Sequence, residues 1–366
     1  MSYLSRREFL KIFLSSGVAL CGSNILTARE LNTSGPIEER KKQNLAKYIF
    51  RFSSPYFTAE HQSTPHAHQE IKHLIEQYTH NKVYVDIQDG GSAGIGSVLA
   101  NSVAFGETHG ALLSFSNLSP KVPEIDIINI PFWAVENNDY IRLMYSKVFQ
   151  KHVLSKLRKH NLQMLFPYVV GARTITSTKK YRKRIVTTSD FKRLQIRVPP
   201  STVLKQMYKM VHASPVKMDW AVTAKAANLG RFEALDPSLV GLYSGPGGLK
   251  YQLGTVTELG TVHDGWLAIG NVDFIDHMDS TTRTQFLDAF VEIQAKQQLL
   301  QRKSKQYCST ELKKLGVEIY KPNVAEKDNL AAILGHGNPN WNATKSRLLG
   351  SNWMNIFDEM YRAAKG

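Results

Sequence analysis

The sequence is poor in cysteine: Cys21 and Cys308 are the only two in 366 residues. Cys21 falls in the N-terminal leader described below, so a mature chain keeps one thiol. It then has no internal disulfide and no cysteine-based metal framework. Cys308, beside Tyr307 in a helical stretch, reads as packing. Acid is also short, with 31 Asp and Glu against 46 Lys and Arg and a formal charge of +15. Such a balance admits nucleic acid, a membrane surface or an acidic ligand. The one dense basic run, Lys179-Lys180-Tyr181-Arg182-Lys183-Arg184, lacks the interleaved aromatics on which bases stack. It reads as a solvated loop, and no nucleic-acid partner is expected. No segment beyond the leader approaches the roughly 20 apolar residues that cross a bilayer. No internal repeat occurs. Ser, His and Asp are present, but the sequence is read as having no G-x-S-x-G elbow, no H-E-x-x-H and no local pairing of a nucleophile with a base. No catalytic residue, metal or cofactor is therefore expected.

What is present is ample apolar material, 42% of the residues, in a chain longer than one ordinary domain. Two lobes follow. The first residues read Ser5-Arg6-Arg7-Glu8-Phe9-Leu10-Lys11, then a short apolar stretch from Ile12 to Leu20. That is the form of a twin-arginine export signal. It predicts a signal over 1–28, with cleavage after Ala28, and a periplasmic destination. A polar tether is expected over 29–46.

The alternation in Tyr48-Ile49-Phe50-Arg51-Phe52-Ser53 predicts a strand. A helix opens after Pro65, with Ile71, Leu74, Ile75 and Tyr78 on one face. Val83 to Ile87 and Ala111 to Phe115 read as further strands. The glycine-rich turn from Gly90 to Gly94 lacks the Lys-Ser/Thr of a phosphate loop. Beyond Pro167 the pattern restarts, with strands at Val169–Ile175 and Leu194–Val198 and helices at Val203–Met210 and Ala221–Leu229. A long helix over Thr281–Leu315, with Phe286, Phe290, Ile293 and Leu300 on a recurring face, would brace the lobes. Strands alternating with helices predict an α/β fold with largely parallel sheets.

At this point several segments resemble a known family. Asp190-Phe191-Lys192-Arg193-Leu194-Gln195-Ile196-Arg197-Val198-Pro199 is similar to a "D-L-K-G-L-K-I-R-V-P" run. Ala213 to Trp220 resembles "G-A-x-P-V-x-M-P-W/F", and Gly171-Ala172-Arg173 matches "G-x-R". Pro123-Glu124 and Ile130-Pro131-Phe132-Trp133 resemble "P-E…L-P-F". Together, in this order from about Tyr48 to Pro322, they resemble the DctP-family solute-binding proteins of tripartite ATP-independent periplasmic (TRAP) transporters.

The resemblance implies a two-lobed α/β periplasmic binding protein with mixed, largely parallel sheets, a central cleft and a long hinge-spanning helix. Lobe I is expected over 47–170 and 263–300, lobe II over 171–262 and 301–366. It also implies capture of a small organic acid and delivery to membrane subunits of a TRAP transporter. The alternative is the same clamp reporting to a signalling receptor. Nothing in the sequence sets the number of subunits. By resemblance, Arg197 holds the ligand carboxylate, Arg173 supports it and Trp220 packs on it. A guanidinium fork suits a carboxylate through two parallel hydrogen bonds. Phe115, Ser116, Asn117 and His66 fall near positions that line the family's cleft. His66 and His68, two apart, do not suit a shared metal and read as a solvated helix start. The sequence departs from the family's "A-L-Q-x-G-x-V-D-G-Q-E-N-P", with Leu235, Asp236 and Pro237 at the glutamine, glutamate and asparagine positions. Asp236 and Tyr243 are accordingly candidate wall residues.

Overall fold

The computed structural model describes residues 35–366; the leader expected at 1–28 lies outside them. Within the stretch expected to be a tether, Pro36–Leu45 is a helix that buries none of its residues. Its sequence, PIEERKKQNL, has too few apolar positions to make a stripe.

The strands form two sheets. The first holds β1 (Tyr48–Ser53), β2 (Val83–Gln88), β3 (Gly110–Ser114), β4 (Leu162–Tyr168) and β10 (Trp266–Asn271), in the order β2-β1-β3-β10-β4. β1, β2 and β3 run parallel, and β10 is antiparallel to both its neighbours. The second sheet holds β5 (Ile175–Thr178), β6 (Gln195–Val198), β7 (Ser214–Lys217), β8 (Ala234–Leu235), β9 (Leu253–Thr257) and β11 (Glu318–Tyr320), in the order β11-β9-β5-β8-β6-β7. In it β5 alone runs against its neighbours.

The chain passes between the sheets three times. β4 leads through 169–174 into β5, β9 leads back through 258–265 into β10, and the helix Ser280–Lys314 leads from the first sheet to β11. The first two crossings lie side by side: Arg173 N donates to Val262 O at 2.8 Å and Asp264 N to Gly171 O at 2.9 Å. The 35-residue helix starts on the first core, where Phe286 meets Phe50 edge-on at 4.9 Å. Such pairs add about 0.5–1.5 kcal/mol beyond area burial. Past Ile293 its buried stripe changes character. It continues not through Leu300, which is only partly buried, but through Gln297, Gln301, Ser304 and Cys308. The reason is the neighbouring crossing strand, whose backbone lacks a ladder partner there. Gln297 supplies one, accepting from Val169 N at 3.1 Å and donating to Val169 O at 2.7 Å.

The sequence reading placed 301–366 with the second sheet. The structure lays the last helix, Trp353–Lys365, against Asn137–Tyr145 on the first-sheet side, with Arg142 Nε donating to Ala364 O at 2.8 Å. One apolar core runs beneath both, with Trp133, Phe357 and Trp341 among its large side chains.

Candidate functional site

Three segments converge where the sheets face each other. Arg197 lies on β6 between two buried neighbours, Ile196 and Val198, which fix that strand's inner face. Alternation therefore turns Arg197 to the opposite side. The ladder ends one residue on, because Pro199 and Pro200 have no N–H to continue it. Arg173 comes from the first crossing and Asp264 from the second. All three line one cavity of about 30 Å³, room for about two waters at the roughly 10–15 Å³ each requires. Ser114 and Asn117 close it from the end of β3, and Trp220, Trp266 and two prolines, Pro199 and Pro237, give apolar walls.

The two arginines are buried alike and differ in electrostatics. Arg173 binds Asp236 Oδ1 through Nη1 at 3.2 Å and Asp264 Oδ1 through Nη2 at 2.8 Å. Burial opposes its charge, but Asp264 and Asp236 outweigh that and raise its pKa. Asp236 in turn accepts from the Tyr208 hydroxyl at 3.0 Å, and burial raises its carboxyl pKa. Arg197 has no ion pair. Its Nε and Nη2 both donate to one neutral acceptor, Met218 O, at 3.1 and 2.8 Å, and its guanidinium lies 5.2 Å from the Trp220 ring centre. Burial, with Arg173 adding to it, pushes its pKa down to about 10. It stays cationic at neutral pH. A buried cation without a counter-charge is costly to keep, and this one stands at a cavity wall. Two further lining donors have no hydrogen-bond partner, Trp220 Nε1 and Arg173 Nε.

The structure thus brings Arg197, Arg173, Trp220 and Asn117 to one cavity. The other expected residues stand elsewhere. Asp236 is fully buried behind Arg173 as its ion partner. Its place among wall candidates gives way to Pro237, the next residue, at the position of the family's asparagine. Phe115 is core, edge-on to Tyr140 at 6.0 Å. Ser116 is buried next to it, its hydroxyl unpartnered. Tyr243 packs edge-on against Tyr307 at 5.8 Å, with Lys250 over its ring. His66 and His68 are not a solvated helix start. Both are buried, their rings stacked at 3.8 Å, with His68 N donating to His66 Nδ1 at 3.1 Å. The flanking Thr64-Pro65 and Ala67 are buried too, so the helix begins inside the fold.

Sequence reasoning did not single out Asp264 or Trp266. They lie in His263-Asp264-Gly265-Trp266, which has no period or motif of its own, and only the second crossing brings it to the site. It also passed over the letters of Gly90 to Gly94, which read G-x-S-x-G. Ser92 is exposed there and makes no hydrogen bond to a histidine. The last glycine of this loop has another use. Gly96, at φ +65°, lies so close to Asp219 that an added Cβ would stand 2.7 Å from Oδ1. Asp219 caps the short turn that begins at Trp220. The loop's Ile95 packs on the apolar cluster that includes Trp220. The loop after β2 therefore touches the second sheet's side beside the cavity.

Two α/β lobes joined by crossing strands and a long helix, with charged groups between them, define a two-lobed ligand clamp. The chain belongs to the DctP family, described as bacterial extracellular solute-binding protein, family 7, which it matches over residues 55–336. No curated protein sequence matches it. Among solved structures it is similar to a TRAP periplasmic solute-binding protein of Sulfurospirillum deleyianum with bound succinate. That likeness is at 17% identity and a TM-score of 0.74, over 86% of this chain and 99% of the other. A sugar-acid-binding protein of Advenella mimigardefordensis in complex with galactonate gives 17% and 0.76, over 87% and 97%. A TRAP periplasmic solute-binding protein of Desulfovibrio salexigens with bound orotic acid gives 16% and 0.76, over 87% and 99%. At such identities these likenesses concern the fold. Among the described residues no helix is long and apolar enough to cross a membrane.

Proposed function

We propose that this protein captures a small organic acid between its lobes outside the cytoplasm and delivers it to a TRAP-type membrane transporter. Arg197 is the observation that carries the reading. It is a preset, buried cation with no ion-pair partner, at the end of a strand where α/β folds place their ligands. A ligand carboxylate supplies the missing charge. Enclosure strengthens the pairing by removing water. Succinate, galactonate and orotate, bound by the similar proteins, are all carboxylates. The Arg6-Arg7 leader supports export by the twin-arginine route to the periplasm. We place the lobes around the two sheets, with the crossings at 169–174 and 258–265 as the hinge.

The test is a thermal-shift screen of organic acids, followed by calorimetry. Losing one member of a buried charge pair costs about 2–5 kcal/mol, or roughly thirtyfold to several thousandfold in affinity. Arg197→Ala is expected to lose that much while staying folded. Arg197→Lys is expected to weaken binding as well, since a point charge does not reproduce the fork. Unchanged affinity in Arg197→Ala would remove the carboxylate clamp.

A further inference from the structure

We infer that the ligand is a small acid with a single negative charge, and that Asp264 and Asp236 enforce this by occupying Arg173. The inference rests on the reading of the cavity as an organic-acid site and narrows it. Two cations line the cavity, and a site with two free guanidiniums would suit a dicarboxylate. Here Arg173 is spent. Its Nη1 faces Asp236 at 3.2 Å and its Nη2 faces Asp264 at 2.8 Å, so two carboxylates share one cation. Asp264 also accepts from Ser238 N at 3.0 Å, which fixes it in place. Only Arg197 keeps a charge without an acidic partner.

A first carboxylate on Arg197 gives that guanidinium the ion partner it lacks. A second one on the same ligand would stand in the cavity with no free cation and with Asp264 on the wall. Like charges at that range repel strongly when water is excluded. The uncharged donor at the wall, Trp220 Nε1, has no partner and suits a neutral acceptor such as a keto or hydroxyl oxygen. The rest of the wall is two tryptophans, two prolines and Gly241, with Ser114 and Asn117 its polar members. Pro237 offers no N–H and no side-chain donor, so the cavity has few partners for a polyhydroxylated sugar acid.

The experiment is calorimetry on the mature protein with two sets of probes: pyruvate, 2-hydroxybutanoate and 2-oxobutanoate against succinate, malonate and glucuronate. The best of the first set is expected to bind at least tenfold tighter than the best of the second. Asp264→Asn and Asp236→Asn each return part of Arg173's charge to the cavity. Each is expected to shift the succinate-to-monocarboxylate affinity ratio at least tenfold toward succinate. Thermal melts would report whether each variant folds, and either one alone suffices for the comparison. Succinate or malonate binding best to the unmodified protein, with Arg197→Ala abolishing it, overturns the single-charge inference and leaves the organic-acid reading standing; glucuronate, itself a monoanion, binding best overturns the small, sparsely hydroxylated body instead. A preference for monocarboxylates that neither Asp variant moves overturns the role given to Arg173's partners. Binding of none of the six acids overturns both.

Discussion

Asp126 offers the sharpest test of how the two sides of the cleft are held. It is buried in the turn Pro123–Asn129, yet its carboxylate caps a helix on the second-sheet side, Thr202–Met210. Oδ2 accepts from Thr202 N at 2.8 Å, Val203 N at 3.0 Å and Thr202 Oγ1 at 3.0 Å. Oδ1 accepts from Ser201 Oγ at 2.6 Å and Asn129 Nδ2 at 2.8 Å. Two of the helix's orphan N–H groups thus depend on a residue more than 70 positions away in sequence. In Asp126→Ala the hydroxyls rotate to new partners, but the two backbone donors do not. Each buried donor left unmade costs about 1–3 kcal/mol, and bonds to a charged acceptor stand at the upper end. A total near 4–6 kcal/mol follows, more than the roughly 1 kcal/mol of an ordinary lost cap. Asp126→Asn keeps the shape and one acceptor oxygen, so about half that loss is expected. The assay is equilibrium unfolding in urea, reading the midpoint at constant slope. Hydrogen exchange at Thr202 and Val203 would localise the effect. If both variants cost under about 1 kcal/mol, water replaces the carboxylate freely and the tie is not the buried cap described here.

Two further outcomes are expected. Burial holds His263 near a pKa of about 3, with Arg173 adding to the shift, and burial holds His66 near about 4, with His61 adding. Both lie below the ordinary 6.5, so their contribution to stability is complete above that pH and is lost as the medium becomes more acid. By pH 4.5 each will have given up roughly 2–3 kcal/mol. Melting temperature should fall steeply between pH 7 and 4.5, less so in His263→Asn, and a flat profile would contradict the buried neutral rings. For export, Arg6→Lys with Arg7→Lys is expected to trap the precursor inside the cell; a normal periplasmic yield of that double variant would remove the twin-arginine assignment.

The parts of this fold legible in the sequence are those written in short-range pattern. β1 follows from alternation, and the long helix from its phenylalanine stripe. The convergence of Arg197 and Trp220 follows from two motifs on adjacent strands, β6 and β7, and the turn beyond. Electrostatic roles were not legible, because they depend on pairs distant in sequence. Arg173 looked like a second ligand contact until Asp264, some ninety residues on, arrived through the other crossing. The role of Gln297 was not legible either, since a side chain replacing a missing strand leaves no apolar signal. The stacked His66–His68 pair failed for the same reason: two polar rings near a proline read as surface, and only the loop's burial shows otherwise.

The contact between Gly96 and Asp219 bears on how such a protein adapts to its surroundings. A clamp's apparent dissociation constant is its intrinsic one divided by the fraction of molecules able to close. A side chain at Gly96 would meet Asp219 without approaching the cavity. If it cut the closing population to a tenth, affinity would weaken about tenfold for every ligand alike. The cavity walls decide which ligand is held; a side chain at Gly96 would change the concentration at which it is held without touching them. A lineage can therefore follow a change in how abundant its nutrient is through the latch, while the identity of that nutrient stays fixed by Arg197 and its neighbours.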